Sequence, residues 1–560
     1  MNRVVLDSRF FLMWLVPIVA SFFSVEVQDW GGGGLHVIKV CFYSFVVFYP
    51  LYFLISLIPY PRVETSLKNT LLILSLIFAF VDFFASWYFH MGFTPSLVST
   101  LLNTNLRESH EFLMSYILPN LGVLATYILF CVAFLFLVRF KIHVQTKLNL
   151  KILLALFVAF WVHNLGAYIP REHHHGALIN PNIPTRIMPI IKEFYAIGVS
   201  LKEYKQTKYK NLKQSYPKDY LSVDLNSVSN VVLIVGESAS KNFMGVYGYP
   251  VANTPFLSDL STKGHLFIFK DVISAFANTY AVFKTLLNYA DVENSSNPEQ
   301  QKNLGSIFKL AGYKTFWFDS QDDLEKNRAF DFWSTPFMKR YYSNGFFKAD
   351  GATLDAWLIS AFNKQKSQLS SKNFILFHLI GSHAGYKYRF PKSYAKFMPT
   401  DIPYQNLHVQ NNKDRQVVAD YVNSLYYTDH ILGEIFKLFK DKDALIIYLS
   451  DHAQDIFQSG NTYGHKCSAY GVEIPFMIYV SEVFKQKHPE KLKLIAKAIN
   501  KPFMSDDLIH SLLPLVGIHT KDNLESKNLF SPAFDTNRKR VYCDHQVYEK
   551  KPSANLESKP

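Results

Sequence analysis

The sequence predicts a two-part protein: an N-terminal five-helix transmembrane domain, then an α/β sandwich with a largely parallel central sheet. Three observations carry the prediction. Apolar residues crowd into five runs before residue 170 and thin out after it. From residue 230 onward, short β-rich apolar runs alternate with helical patterns, the signature of an α/β sheet. Several of those β-rich runs also end in the same kinds of polar residue: Glu, Asp and His.

The five apolar runs are Phe10–Val25, Val40–Ile58, Thr70–Tyr88, Tyr116–Val138 and Ile152–Ile169. Most approach the ~20 residues that span a bilayer. The first is short and has the length of a signal-peptide core, but no small-residue cleavage site follows cleanly, and Trp14 and Pro17 interrupt it. It reads as a retained anchor. Arg3 and Arg9 precede it; Arg62 and Lys68 lie between runs two and three; Arg139, Lys141, Lys147 and Lys151 flank the gap between four and five. The alternate loops are poor in Lys and Arg, with Arg107 alone after run three. The positive-inside rule then puts the N-terminus in the cytoplasm and residues 170–560 outside, which in a bacterium is the periplasm.

Net charge is +13. The lysines are scattered and the compartment is wrong for nucleic acid, so that partner is excluded; anionic lipid surfaces suit the charge better. Of four cysteines, Cys41 and Cys131 fall in apolar runs, and Cys467 and Cys543 fall outside them. One disulfide is available, with no disulfide framework, and the sequence leaves open whether the two pair.

Residues 1–169 form the expected membrane domain, 170–228 a bridge, 229–545 the soluble domain and 546–560 a disordered polar tail. Within the bridge, "IMPIIKEFYAIGVSLKEYKQTKYKNLKQ" is Lys-rich and helical in pattern, fitting either a membrane-surface helix or a solvated linker. His173–His175 fits a surface loop better than a metal patch. The expected strands are "VVLIV", "HLFIFKDVI", "KTFWF", "NFILFHLI", "ALIIYL" and "IPFMIYV". The expected helices include "TLLNYADVEN", "LGSIFKLAG", "TLDAWLISAFNKQ" and "TDHILGEIFKLFKDK".

Ligands of parallel sheets bind beyond the carboxyl ends of the strands. "VVLIVG" delivers Glu237 there, "ALIIYLS" delivers Asp451 and His452, and "NFILFHLIGSH" carries His378 and then His383. Thr279 follows "HLFIFKDVIS" at a helix start. Glu, Asp and His suit Zn²⁺ or a similar divalent ion. A metal lowers the cost of removing a hydroxyl proton, and a helix N-terminus favours a phosphate beside it. Taken alone, Thr279 reads as an ordinary helix cap, His378 as a satisfied buried histidine and Gln321 as a turn residue.

Together "VGESASKNFMGVYGYPVANTPFL", "NTYAVFKTLLNYADVEN", "AGYKTFWFDSQ", "FHLIGSHAGYKYRFP", "YVNSLYYTDHIL" and "YLSDHAQDIF" resemble, in order and spacing, the phosphoethanolamine transferases of the bacterial inner membrane. These belong to the alkaline phosphatase and sulfatase-like superfamily. "AGYKTFW", "HLIGSHAGYKYRFP" and the low cysteine count are most similar to the branch that modifies lipopolysaccharide core heptose. The resemblance implies an alkaline phosphatase/sulfatase-type sandwich and a zinc enzyme, with manganese as the alternative ion. It implies metal ligands at Glu237, Thr279, Asp451 and His452, with Thr279 also the nucleophile. It implies substrate-phosphate contacts at His383 and His465, the latter set in "YGHKCS", with Ala453 where the family usually carries Gly. The donor is then phosphatidylethanolamine and the acceptor lipopolysaccharide, at core heptose first and lipid A next. Rival activities in the superfamily are phosphoglycerol transfer and sulfatase- or phosphodiesterase-type hydrolysis.

Two membrane-side features stand apart. Asp82 lies inside the third apolar run, where an acid is costly unless hydrated at the interface or functional. "NTNLRESHEFL" is similar to a family loop that meets the lipid donor, making Asn105, Glu108, Glu111 and Asp82 candidate donor-lipid contacts; a solvated amphipathic helix is the alternative for that loop.

Overall fold

The computed structural model describes residues 3–24, 33–104, 106–168, 187–209, 216–293, 301–321, 331–343, 354–543 and 546–549. The chain divides into two compact units, one of residues 1–102 and 113–205, the other of residues 103–112 and 206–560.

Among the described residues, four helical stretches are long and apolar enough to cross a membrane: Gly33–Ser56, Pro61–Phe89, Ser109–Leu137 and Thr146–Asn164. The first apolar run differs from the expectation of a full span. Its helix covers Ser8–Ser21, 14 residues, about 21 Å long against a hydrocarbon core of ~30 Å. Asp7 caps it and simultaneously binds Arg9 and the Tyr52 hydroxyl. The strand Arg3–Leu6 ahead of it pairs antiparallel with Ile142–Gln145. Asp82, near the end of helix Pro61–Phe89, accepts the Phe93 N–H at 2.8 Å and pairs with Lys192 at 2.5 Å. This acid is therefore satisfied by protein groups of its own unit.

The Lys-rich pattern of the bridge forms helix Ile191–Tyr209. Residues 206–228 group with the soluble unit, where Leu221–Val223 pairs antiparallel with Ile518–Thr520, so the bridge is shorter than 170–228. The run His173–His175 lies outside the described residues.

The soluble unit is built on seven strands: β1 (Asn230–Gly236), β2 (Leu266–Phe269), β3 (Lys314–Asp319), β4 (Lys339–Tyr342), β5 (Asn373–His378), β6 (Ala444–Ser450) and β7 (Phe476–Val480). Their order is β2-β7-β6-β1-β5-β3-β4. Strands β6, β1, β5, β3 and β4 pair in parallel, and β7 runs antiparallel to both its neighbours. Both faces are covered. Val231, Leu233 and Val235 of β1 enter one apolar cluster, and Val232 and Ile234 enter the other. Continuous apolar runs are what a doubly covered strand requires.

Two elements depart from the sequence pattern. The helix expected over "TLLNYADVEN" instead covers Thr279–Leu286. It stops because the Asn288 and Asp291 side chains take the N–H groups of Ala290 and Glu293, a local alternative to helical bonding. The C-terminal tail also begins later than 546. Gln546–Val547 pairs with Val541–Tyr542, and Tyr548 is buried with its hydroxyl on Glu473. Residues 550–560 lie outside the described residues. Cys467 and Cys543 form a disulfide; the Cys543 N–H also donates to the Ala275 carbonyl at 3.0 Å, four residues before Thr279.

Candidate active site

Strands β1 and β6 lie side by side with Gly236 opposite Ser450, so the residues that follow them, Glu237 and Asp451, emerge together. Gly236 has to be glycine, because a Cβ there would stand 2.8 Å from the Tyr448 ring. The backbone then turns at Ser238, which adopts φ of 62°. This left-handed conformation is costly for a residue with a side chain and is held by its surroundings. The Ser238 N–H donates to Asp451 Oδ1 at 3.1 Å, its carbonyl accepts the Tyr421 hydroxyl at 2.8 Å, and its own hydroxyl donates to Glu237.

Thr279 is the first residue of its helix, behind Asn278, whose side chain accepts the Ala281 N–H. Its hydroxyl donates to Glu237 Oε2 at 3.0 Å and lies 3.2 Å from His452 Nε2. His452 Nδ1 is 3.0 Å from the Ala453 carbonyl. That oxygen only accepts, so the proton sits on Nδ1, and in the neutral ring Nε2 presents its lone pair to the site. The same Nε2 is 3.2 Å from Asp451 Oδ2 and 3.5 Å from Glu237 Oε1.

The charges call for a cation. Glu237, Asp451 and His452 are buried, and Asp451 Oδ2 has no hydrogen-bond donor. Burial and the charge of Glu237 push the Asp451 carboxyl up. Burial alone would also raise Glu237, but its carboxylate accepts from the Ser238 hydroxyl, the Thr279 hydroxyl and the Gln321 amide, bonds that favour the charged form. The His465 imidazole is pushed well below the histidine range by burial and by His452 and His383. Ligating atoms of Glu237, His452 and His465 lie within 4.8 Å of one another, the one such group among the described residues. This oxygen and nitrogen donor set, with one orphaned carboxylate oxygen, fits a divalent metal.

His383 and His465, expected as phosphate contacts, lie beside this cluster with ring centroids 5.8 Å apart, and His465 is 4.6 Å from the His452 ring. His378 is buried with Nδ1 3.0 Å from Asp319 Oδ2, as its pattern suggests. Gln321 is more than a turn residue. Its N–H does close a turn onto Asp319, but its side-chain amide donates to Glu237 Oε2 at 3.0 Å and to the Leu379 carbonyl at 2.7 Å. Gln454 went unremarked in the sequence. Its amide donates to the Ser238 hydroxyl at 2.8 Å, and its carbonyl accepts the Tyr386 hydroxyl at 3.1 Å. Its place two residues after His452 was the available signal. Glu111 is buried against Arg389, an arrangement unlike the solvated helix that its sequence allowed. Asn105 and the side chain of Glu108 lie outside the described residues.

The phosphoethanolamine transferase EptC of Escherichia coli is 25% identical over 465 residues, covering 79% of this chain and 78% of that protein. The phosphoethanolamine transferase CptA of Salmonella typhimurium is 23% identical over 474 residues, 80% of each. The C-terminal periplasmic domain of Escherichia coli EptC in complex with Zn superposes with a TM-score of 0.55 at 26% identity, covering 60% of this chain and 95% of that one. The integral membrane lipooligosaccharide phosphoethanolamine transferase A of Neisseria meningitidis shares the fold over 92% of this chain and 98% of its own, with a TM-score of 0.61 at 18% identity. The profile of the family described as Sulfatase matches residues 229–518, more than half of the chain. With its mostly parallel sheet and its acidic and histidine side chains at the strand ends, the chain belongs to the sulfatase family.

Proposed function

We propose that this protein transfers phosphoethanolamine from phosphatidylethanolamine to lipopolysaccharide, through a covalent intermediate on Thr279. The observation that carries the reading is the Thr279 hydroxyl, at a helix N-terminus, 3.0 Å from Glu237 and 3.2 Å from His452. The names of the relatives, phosphoethanolamine transferases EptC and CptA, supply the group transferred.

Glu237, Asp451, His452 and the Thr279 hydroxyl would hold a zinc ion; the imidazole in the set favours zinc over manganese. Bound there, zinc would ease loss of the Thr279 proton and offset charge on the transferring phosphoryl group. The residues of the chain do the rest. Gln321 and Ser238 fix the Glu237 carboxylate, and the Ala453 carbonyl fixes the His452 ring. Thr279 Oγ forms a bond to phosphorus as the bond from phosphorus to the diacylglycerol oxygen breaks, and diacylglycerol leaves with a proton. His383 and His465 hold the phosphoryl oxygens. An acceptor hydroxyl then attacks the phosphorus, the bond to Thr279 breaks, and Thr279 regains a proton. Core heptose is the first acceptor candidate and lipid A the next.

The placement that suits this chemistry is the bacterial inner membrane, with the N-terminus cytoplasmic and the soluble unit in the periplasm. That placement needs an odd number of crossings, so the apolar run Phe10–Val25, helical over Ser8–Ser21, makes the fifth crossing beside the four long helices. A tethered site beside the bilayer sees its lipid donor at high effective concentration.

Mass spectrometry of lipopolysaccharide from cells with and without this protein tests the reading. A phosphoethanolamine increment that disappears in Thr279→Ala cells supports it, and fragmentation places the group. An increment of phosphoglycerol, or release of free phosphoethanolamine with the lipopolysaccharide unmodified, would replace the reading with one of its rivals.

A further inference from the structure

The loop that carries His383 is held from several sides. Upstream, the N–H groups of Ile380 and Gly381 bind the buried Asp355 carboxylate at 2.8 and 3.0 Å, and the Ser382 N–H donates to the Glu237 carbonyl at 2.9 Å. Downstream, one side chain does the work. Arg389 Nε donates to the His383 carbonyl at 3.1 Å, and its Nη2 donates to the Ala384 carbonyl at 2.7 Å. Gly385 between them adopts φ of 78°. The guanidinium thus grips the two peptide units that begin at His383.

Arg389 is 1% exposed, and a guanidinium cannot shed its charge when buried. Its counter-charge is Glu111, 7% exposed, which accepts from Arg389 Nη2. Glu111 belongs to the segment Asn103–Phe112, which packs with the soluble unit although it precedes that unit by about a hundred residues of sequence. The same carboxylate oxygen stands 3.8 Å from His383 Nδ1. One acid therefore neutralises the group that grips the His383 backbone and also faces the His383 ring.

We propose that Glu111 and Arg389 form a buried ion pair that positions His383 for the substrate phosphate. Both are positioning residues: they act through His383, and Glu111 in this role is not a contact for the donor ammonium. The proposal rests on the transferase reading for the task of His383. The pair explains why an isolated segment from the membrane-side sequence carries a buried acid. Replacing Arg389 removes the donors that hold the His383 and Ala384 carbonyls, and replacing Glu111 removes a carboxylate that accepts from that guanidinium.

The test uses the full-length, zinc-loaded protein in detergent micelles containing phosphatidylethanolamine, with Glu111→Gln, Arg389→Met and the double variant, each in wild-type and His383→Ala backgrounds. The double variant, which removes both charges, stands in if a single one fails to fold, and thermal unfolding and zinc content verify each protein. Headgroup loading onto Thr279 is followed by intact mass. Loading is expected to fall about 10–100-fold in the wild-type background and less than about 2-fold further in the His383→Ala background, because residues acting through one group are not additive. Equal losses in both backgrounds, or no loss in either, overturn the proposal. A second readout needs no donor: carbethoxylation of His383 by diethylpyrocarbonate, mapped by peptide mass, is expected to change several-fold in each folded variant. Unchanged reactivity overturns the proposal. If wild-type protein loads no headgroup, the transferase reading fails, and His383 reactivity alone decides whether the pair positions this residue.

Discussion

The Thr279 hydroxyl and His452 Nε2 lie 3.2 Å apart, although 173 residues separate them in the chain. Nothing local brings them together. The helix that begins at Thr279 and the turn after β6 converge at one edge of the sheet, with Glu237 bridging them. A hydroxyl so placed has its hydrogen-bond partners set in advance.

Removing that hydroxyl should therefore separate chemistry from assembly. Thr279→Ala is expected to lower transfer by roughly 10⁴-fold or more, while zinc per protein stays near wild type. Thr279→Ser, which keeps an oxygen at the helix start, should retain measurable transfer. Transfer by Thr279→Ala at the wild-type rate would remove this residue from the mechanism.

Gln321 touches the Glu237 carboxylate. Gln321→Leu takes away the amide that donates to Glu237 Oε2. Partners that orient a metal ligand typically contribute 10–100-fold to affinity. Zinc affinity, measured by competition with a chromogenic chelator, should drop by about that factor in Gln321→Leu. An affinity equal to wild type would mean that the Glu237 carboxylate is held by its other partners alone.

Chelation offers a readout of stability. Glu237 and Asp451 are both buried at the same edge, and a bound cation stabilises the fold by mass action. Exhaustive dialysis against a chelator should lower the unfolding temperature, and zinc should restore it; at 1,000 Kd of free metal the linkage is worth about 4 kcal/mol. Identical melting curves before and after dialysis would count against a metal in this cluster.

His510 gives a pH dependence of known sign. Burial, and secondarily the Lys527 ammonium, bring its imidazole down to about 4. The ring is held neutral, with Nδ1 accepting the Leu524 N–H at 3.1 Å. Unfolded, it titrates near 6.5, so the unfolded state binds the proton first as pH falls. Its contribution is complete above about pH 6.5 and is lost as pH falls toward 4, up to ~3 kcal/mol. His510→Asn keeps an acceptor and cannot titrate, so its unfolding temperature should be lower at pH 7.5 and fall less steeply with acid. Parallel pH profiles for the two proteins would remove His510 as the source.

Much of the site could be read from the chain because a parallel sheet is predictable in one respect: its carboxyl ends share an edge. Glu237, Asp451 and His452 follow apolar runs directly, and β1 and β6 are neighbours in register. What resisted reading depends on contacts without a sequence period. Glu111 and Arg389 are 278 residues apart, and neither sits at a strand end. The amide of Gln321 acts through its reach across the edge, which a turn pattern does not encode. The strand Lys339–Tyr342 was missed because an exposed edge lacks the apolar run that marks an inner strand. The first helix looked longer than it is because its apolar composition continues past Ser21, where the helix ends.

The sulfur bridge between Cys467 and Cys543 fastens the stretch just after His465 to a segment that docks on Ala275, ahead of Thr279. The two cysteines are 76 residues apart in sequence, so the clasp closes only once the later one has been made and the pair oxidised. Reduction of that one bond would free both segments together, so the oxidation state of a single cysteine pair decides how firmly two flanks of the cluster are tied.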